Sequence, residues 1–310
     1  MARLAPFLAL IAIGAAWGLT TPLVKIALEA GHRPLGIVLW QAVIVLAVVG
    51  PLQFRRGRPL PLGRAELRLY AVIGLMGISL PHLASFAANA RLPAGVVSIV
   101  VSLVPIFAFP IALATGAERF GWRRMAGLTL GAAAIVLLVA PGTSLPPGAQ
   151  AVFVLVAALA PLLYALEGAY IAGRGSRRAT PLQALLGGTV VALALSLPAA
   201  LATGAARMPG PPGMAEAAIV AAGLLSLAAY GGYFALLRSA GAVFAAQVAY
   251  VVTGSGVLWA MLLLGERYSG WVWAALGLIL AGLFLVQPRP VLAPPDAPPG
   301  PAAGPAATGA

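Results

Sequence analysis

Three ionisable residues, Lys25, His82 and Glu167, lie inside long apolar runs. A charge at membrane depth costs at least about 2.5 kcal/mol on insertion scales, so such a residue normally faces a cavity or a partner. Tyr164 precedes Glu167 by three residues and shares its helix face, from which the phenol can donate a hydrogen bond to the carboxylate. Two interpretations of Glu167 stay open: a structural carboxylate satisfied by tyrosine and backbone, or an acceptor of a cation or proton on a path through the membrane.

His82 and Lys25 are ambiguous in a similar way. His82 follows Pro81, whose ring removes a backbone hydrogen bond and can kink a helix. It is either a neutral histidine bonded to a neighbouring helix or a proton relay. Lys25 lies near the outer end of its run, where its stem can snorkel to the lipid headgroups. Glu167, His82 and Lys25 are therefore our candidates for coupling to protons.

Aromatic and amide residues supply the predicted walls of a cavity. Gln247, Tyr250 and Gly254 follow i, i+3, i+7 spacing, which places them on one helix face. Other tyrosines share faces in the same manner, and Trp17 lies too deep in its run for the interfacial aromatic belt. The predicted substrate site consists of Trp17, His82, Tyr164, Glu167, Tyr230, Tyr233, Gln247 and Tyr250.

Several classes of chemistry lack the residues they need. The chain has no Cys and only two His, so it offers no disulfide, no thiol nucleophile and no usual zinc ligand set. We predict no metal and no cofactor. A phosphate loop, a paired-carboxylate site and a nucleophile elbow are also missing from the sequence, so an enzyme is not expected. An intramembrane enzyme and a receptor subunit that binds without moving solute remain less favoured alternatives.

Composition excludes a soluble protein. The 310 residues are 61% hydrophobic and only 8% charged. The formal net charge is +12, but the basic residues are scattered between apolar runs and form no stripe for nucleic acid. A lipid bilayer accounts for the same surplus, because cytoplasmic loops collect Lys and Arg.

Ten apolar runs are each long enough to cross a hydrocarbon core of about 30 Å. They cover residues 4–28, 35–54, 68–90, 94–116, 122–140, 149–173, 181–203, 214–237, 242–264 and 270–287. Residues 288–310 are rich in Pro and Ala and predict a disordered cytoplasmic tail. The sequence therefore predicts an all-α membrane protein with ten transmembrane helices.

Arginine placement predicts the orientation. With a cytoplasmic N-terminus, 14 arginines fall in cytoplasmic segments and four fall outside, namely Arg33, Arg91, Arg207 and Arg267. This bias favours both termini in the cytoplasm, for a multi-pass protein of the inner (plasma) membrane.

An internal repeat divides the chain. Glu118 and Glu266 each end a similar apolar segment, are 148 residues apart, and are followed by Arg, an aromatic residue and a Gly-Trp pair. Each copy then carries a small-xxx-small pair that lets helices approach closely, Gly127 with Gly131 and Gly277 with Ala281. Because five helices is an odd number, the second copy enters the membrane from the opposite side. We predict inverted five-helix repeats at 1–145 and 146–287, with a mid-membrane substrate site between them.

At these residues the chain resembles the ten-helix EamA branch of the drug/metabolite transporter superfamily. The matching segments are 15–20 with Lys25, 92–98, 103–106, Glu118-Arg119, Tyr164, 241–242, 264–267, Gly277 and Gly282. The chain departs from the pattern at Thr253, where the second copy usually has proline, and at Pro161, where the sixth helix usually has tryptophan. The resemblance implies transport, commonly export, of small metabolites such as amino acids or related amine-bearing solutes. We predict alternating access between the two five-helix halves. Proton coupling and an uncoupled facilitator both stay open, and the assembly is expected to be a monomer or weak homodimer.

Overall fold

The computed structural model describes residues 4–140, 145, 147, 149–174, 178–206 and 213–286. All regular elements within these ranges are helices, which confirms the all-helical prediction for this part of the chain. The predicted tail at 288–310 and Arg207 lie outside the described residues.

Eight helices are long and apolar enough to cross a membrane. They are α1 (Ala5–Glu29), α2 (Pro34–Arg55), α3 (Arg64–Asn89), α4 (Ala94–Ala114), α5 (Trp122–Val139), α6 (Val152–Arg174), α7 (Pro181–Ala202) and α8 (Met214–Ala240). Two shorter apolar helices follow, α9 (Val248–Leu264) and α10 (Gly270–Val286), of 17 residues each.

The ninth predicted run is not continuous. Gly241 adopts a positive φ of 84°, which a residue with a side chain rarely adopts, and ends α8. A four-residue helix, Ala242–Ala245, comes next, and α9 begins only at Val248. The chain therefore changes course before α9, in a stretch that hydropathy alone cannot subdivide.

Proline accounts for the irregular stretches in α3 and α4. Residues Ile73–Ser79 of α3 form a π-helix that ends just before Pro81. A proline ring clashes with the carbonyl four residues earlier, here Gly77, and the wider π turn relieves that clash. The kink expected at Pro81 thus takes the form of a π-helical stretch on its N-terminal side.

The proline that interrupts α4 has no counterpart in α9. In α4 the helix is interrupted between Val101 and Val104, ahead of Pro105, which has no N–H to bond the Val101 carbonyl. Thr253 stands at the equivalent place 148 residues later, and α9 runs through it unbroken. The Thr253 hydroxyl donates to the Ala249 carbonyl at 2.7 Å.

Equivalent helices of the two halves pack against equivalent partners. Helix α1 packs against α8 and α9, and its counterpart five helices later, α6, packs against α3 and α4. Helices α2 and α7 pack against each other, as do α5 and α10. Exchanging each helix with its counterpart reproduces the same set of contacts, which is the pattern of a pseudo-two-fold arrangement.

Glycines permit the closest crossings. A Cβ at Gly127 of α5 would lie 2.7 Å from the Gly282 carbonyl oxygen of α10, so the two backbones touch. Gly131 likewise accommodates Ile106, as expected for the first small-residue pair. The second predicted pair is wrong as a packing surface, because Gly277 and Ala281 are exposed and Gly282 makes the contact instead.

Candidate functional site

Glu167 lies on α6 against the π-helical stretch of α3. A Cβ at Gly77 would lie 2.6 Å from the Glu167 carboxyl carbon, so the side chain occupies space that only glycine leaves open. The phenols of Tyr164 and Tyr230 are close enough to interact electrostatically with the carboxylate. Neither donates a hydrogen bond to it, and among the described residues the carboxylate has no ion pair. The predicted bond from Tyr164 is therefore not formed.

A series of aromatic side chains in contact with one another extends from α1 to the surroundings of this carboxylate. Trp17 meets Tyr233 edge to face, with ring centroids 6.2 Å apart. Tyr233 and Tyr230 both contact Phe234, at 6.0 Å and 4.8 Å. Tyr230 thus joins the aromatic cluster to Glu167. Five predicted site residues, Trp17, Tyr164, Glu167, Tyr230 and Tyr233, are brought together by α1, α6 and α8.

His82 lies on α3, five residues beyond Gly77. Its ring stacks on Phe86 with centroids 5.3 Å apart and planes 17° apart. Its Nδ1 and the hydroxyl of Ser79 are enclosed by protein, and neither has a hydrogen-bond partner among the described residues. Nδ1 of His82 therefore does not make the predicted hydrogen bond to a neighbouring helix. Sequence reasoning missed Gly77 and Ser79, although a Gly-x-Ser placed just before a proline was the available signal.

Lys25 does not snorkel to the headgroups. Its Nζ donates to the carbonyl oxygens of Asn89 at 2.8 Å and Leu92 at 3.1 Å, and only 14% of the side chain is exposed. Asn89 in turn donates to the Thr21 carbonyl at 2.9 Å. Lysine near a helix C-terminus is favoured by the helix dipole. Lys25 therefore ties α1 to the end of α3.

Gln247, Tyr250 and Gly254 lie at and just after the start of α9. Gln247 immediately precedes the helix and already has helical backbone angles, φ −68° and ψ −15°, so the predicted i, i+3, i+7 spacing is preserved. Tyr250 packs against the large apolar core of α4, α5, α6 and α10, a different cluster from that of Trp17 and Tyr233. A Cβ at Gly254 would meet open space. The assignment of Gln247 and Tyr250 to the substrate site stays a prediction.

Glu266 makes a contact that the sequence did not predict. Its carboxylate accepts hydrogen bonds from the backbone N–H groups of Ala94 at 2.7 Å and Gly95 at 3.2 Å, at the start of α4. The Tyr268 hydroxyl donates to the same carboxylate at 2.5 Å. Burial, together with this hydrogen bond, raises the pKa of Tyr268, so the phenol stays protonated and able to donate. We call this arrangement the Glu266 cap, and it joins the second half to the first.

Comparison with protein families identifies a family whose model covers nearly the whole chain in two matches. The model of the EamA-like transporter family matches twice, at residues 4–140 and 151–287. The two matches fall in the two halves that exchange contacts in the structure. The family expectation drawn from the sequence is therefore confirmed.

Individual relatives are distant. The "Uncharacterized inner membrane transporter YedA" of Escherichia coli (strain K12) is 27% identical over 305 residues, covering 93% of this chain and 94% of that protein. The "Probable terminal-alkyne amino-acid exporter" of Streptantibioticus cattleyicolor is 28% identical over 139 residues, covering 43% of this chain and 45% of that protein. A solved crystal structure superposes with a TM-score of 0.59 at 21% identity, over 92% of this chain and 97% of its own. That likeness concerns the fold alone.

Proposed function

The chain belongs to the EamA-like transporter family, and on that premise we propose that it exports small amine-bearing metabolites, such as amino acids, by alternating access. The amino-acid class is supported by the amino-acid exporter among its relatives. The solute passes between the two five-helix halves, 1–145 and 146–287. The observation that carries the proposal is the Glu167 carboxylate, which lies within a membrane-crossing helix without a hydrogen bond or ion pair to any described residue.

We propose that the chain crosses the inner (plasma) membrane ten times and that both termini lie in the cytoplasm. At 17 residues, α9 and α10 are about 25 Å long. Helix α9 packs along α1, where Ser255 donates to the Gly14 carbonyl and Trp259 to the Ala15 carbonyl. Helix α10 packs along α5 through Gly282. A helix that packs along a membrane-crossing neighbour is expected to cross with it.

Glu167 is proposed to bind the amine of the solute. An ammonium group needs a carboxylate partner to enter a low-dielectric site, and aromatic faces add cation–π attraction. Tyr230 lies close enough to the carboxylate to interact with it, and Tyr233 and Trp17 continue the aromatic cluster to α1. The π-helical stretch of α3 opposite Glu167 is a local irregularity that can rearrange as the halves move.

The same carboxylate offers a route to proton coupling. A proton and a cationic solute compete for one acidic group, so release of one favours binding of the other. This competition is the simplest form of antiport. His82 lies on the helix that faces Glu167 and is the second candidate for the proton path. An uncoupled facilitator is the rival, and it requires no titratable group.

Counterflow in proteoliposomes tests the proposal. The purified protein is assayed with a labelled amino-acid panel, with and without an imposed pH gradient. We expect Glu167→Gln to lose pH dependence and to cut transport of amine-bearing solutes at least about 10-fold, because removing one partner of a buried charge pair is costly. Glu167→Asp is expected to retain part of both. The matched control is Glu118→Gln, whose carboxylate is 41% exposed in a loop.

The outcomes separate the alternatives. Native rate and native pH response in Glu167→Gln would leave this residue structural. Transport by the wild-type protein that ignores the gradient, with Glu167→Gln still impaired, would favour the facilitator. No counterflow of any amine-bearing solute would contradict the substrate class.

Single cysteines test the topology, because the chain has none of its own. Arg58→Cys lies in the exposed loop after α2, and Ala30→Cys lies at the exposed end of α1. An impermeant reagent applied to whole cells should label the second and spare the first. The reverse pattern would invert the proposed orientation.

A further inference from the structure

A cavity of about 430 Å³ opens at the end of the bundle where α1 and α3 finish. Its walls come from both halves of the chain. Lys25 and Arg91 belong to the first half, and Glu266 and Arg267 belong to the second. The cavity therefore lies on the boundary at which alternating access would open or close a path.

The residues around this cavity carry an excess of positive charge. Lys25, Arg91 and Arg267 contribute three cations, against the single carboxylate of Glu266. That carboxylate is already used by the backbone of α4 and by the Tyr268 hydroxyl. Glu29 lies 3.9 Å from Lys25 but is mostly exposed, and counting it still leaves one excess positive charge.

The guanidinium groups are free to bind. Arg91 and Arg267 are exposed, and within the part of the chain that the structure describes neither has a hydrogen-bond or ion-pair partner. Lys25 uses two of its three donors on backbone carbonyls. An acceptor with two oxygens suits guanidinium groups, which bind carboxylates in a bidentate manner.

The position of these cations is not explained by membrane topology. By the charge count they lie on the arginine-poor side, where only four of the 18 arginines fall. The positive-inside bias disfavours basic residues there. Two of those four nevertheless line one cavity, together with the lysine of α1. Their convergence points to a ligand of negative charge.

We infer that this cavity binds the carboxylate of the transported solute, so that the protein selects solutes carrying both an amine and a carboxylate. The inference rests on the proposed function, because it assigns a second recognition site to the same solute. Glu167 recognises the amine within the membrane, and Arg91 and Arg267 recognise the carboxylate at the mouth. The solute meets the two sites in succession as it leaves.

The test compares L-amino acids with the matching L-amino-acid amides, which keep the amine and the side chain but lack the carboxylate. Binding to the purified protein in detergent is measured by competition against the labelled amino acid that gives the strongest counterflow. We expect the wild-type protein to prefer each acid over its amide by about 10-fold, a typical value for hydrogen bonds to a charged group. The Arg91→Gln, Arg267→Gln double variant should lose that preference while binding the amide as before.

Two controls accompany the double variant. Arg91→Lys with Arg267→Lys keeps both charges and should retain part of the preference. Arg58→Gln removes an exposed arginine from a loop that does not line the cavity and should change nothing. Unchanged amide binding in the Gln variant shows that the protein is folded and that its amine site is intact.

Three results would overturn the inference. If the wild-type protein binds acid and amide equally, the carboxylate is not recognised, although the proposed function stands. If neither is bound or transported, the proposed function fails together with the inference. The phosphate of a lipid headgroup shares the same chemistry, so retention of phosphatidylglycerol is measured by native mass spectrometry. Loss of that lipid in the double variant, with the acid-to-amide ratio unchanged, would assign the cavity to lipid.

Discussion

The two Glu-Arg loops are equivalent in sequence, yet their glutamates make different contacts. Glu266 reaches across to the first half and caps the start of α4. Glu118, 148 residues earlier, stays within its own half and pairs with Arg124 at 2.7 Å. Arg124 is buried and also lies over the ring of Phe109.

Two substitutions between the copies explain the difference. Tyr268 follows Glu266-Arg267, whereas Phe120 follows Glu118-Arg119, so only the second loop has a hydroxyl to donate to its glutamate. The second loop is also one residue longer, and after that shift Trp273 stands where the first copy has Arg124. No cation at that position competes for Glu266. Sequence repetition therefore preserves the loop while its chemistry changes from an ion pair to a helix cap.

The difference also distinguishes the two ends of the bundle. The Glu266 cap ties the halves together at the end where α9 finishes, and the Glu118 pair makes no such tie at the other end. Under the alternating access that we propose, contacts between the halves differ between the two ends in any one state. The cap is a contact of that kind, and its energetics can be measured against Glu118.

The largest effect is expected from removing the two glutamates in parallel. Glu266→Ala leaves two N–H groups at the buried start of α4 without an acceptor, which should lower the free energy of unfolding by about 2–3 kcal/mol. Glu118→Ala should cost less, about 1 kcal/mol, because the Glu118 side chain is 41% exposed, which screens the ion pair, and the buried Arg124 keeps its contact with the Phe109 ring. Thermal denaturation in detergent measures both. Equal shifts in melting temperature would mean that the two loops are energetically alike.

A smaller effect is expected at Gly95. A Cβ there would lie 2.6 Å from the phenol carbon of Tyr268 that bears the hydroxyl, so Gly95→Ala must displace that ring. Overpacking of this kind typically costs about 1–3 kcal/mol. Gly277→Ala is the matched control, since nothing lies within 4 Å of its added methyl group, and it should be neutral or slightly stabilising. Combining Gly95→Ala with Tyr268→Ala should cost less than the sum of the two, and strict additivity would argue against the contact.

The smallest effect is expected from exchanging the aromatic residues. Tyr268→Phe removes one hydrogen bond and should cost about 1 kcal/mol, whereas Phe120→Tyr should be close to neutral. Because the folded-state pKa of Tyr268 is raised, its contribution is complete below the ordinary tyrosine value of about 10 and is lost as pH rises through the folded-state value. Wild-type stability should therefore fall more steeply above about pH 10 than that of Tyr268→Phe. Parallel pH profiles would contradict this role.

Much of the architecture follows from the sequence alone. The boundaries of α1, α2, α5 and α7 lie within one residue of the apolar runs, because hydropathy and length are properties of a single segment. The division into halves was likewise readable from Glu118 and Glu266. The depth of Glu167 within its run indicated an unusual charge before its surroundings were known.

What the sequence could not supply was the partner of each residue. Periodicity assigns a face to a helix, but the neighbour of that face comes from a segment far away in the chain. Gly77 and Tyr230 meet Glu167, and Lys25 meets the end of α3, only through tertiary packing.

The sequence by itself determined an all-helical membrane chain of two related halves, because burial in lipid requires long apolar helices and repetition is visible residue by residue. The tertiary structure alone decided that Gly282 rather than Gly277 faces α5, and that Glu266 caps α4 while Glu118 does not. In a chain this rich in small apolar residues, several helix faces suit close packing equally well. The choice among them depends on the shape of the opposing helix, which no local pattern encodes.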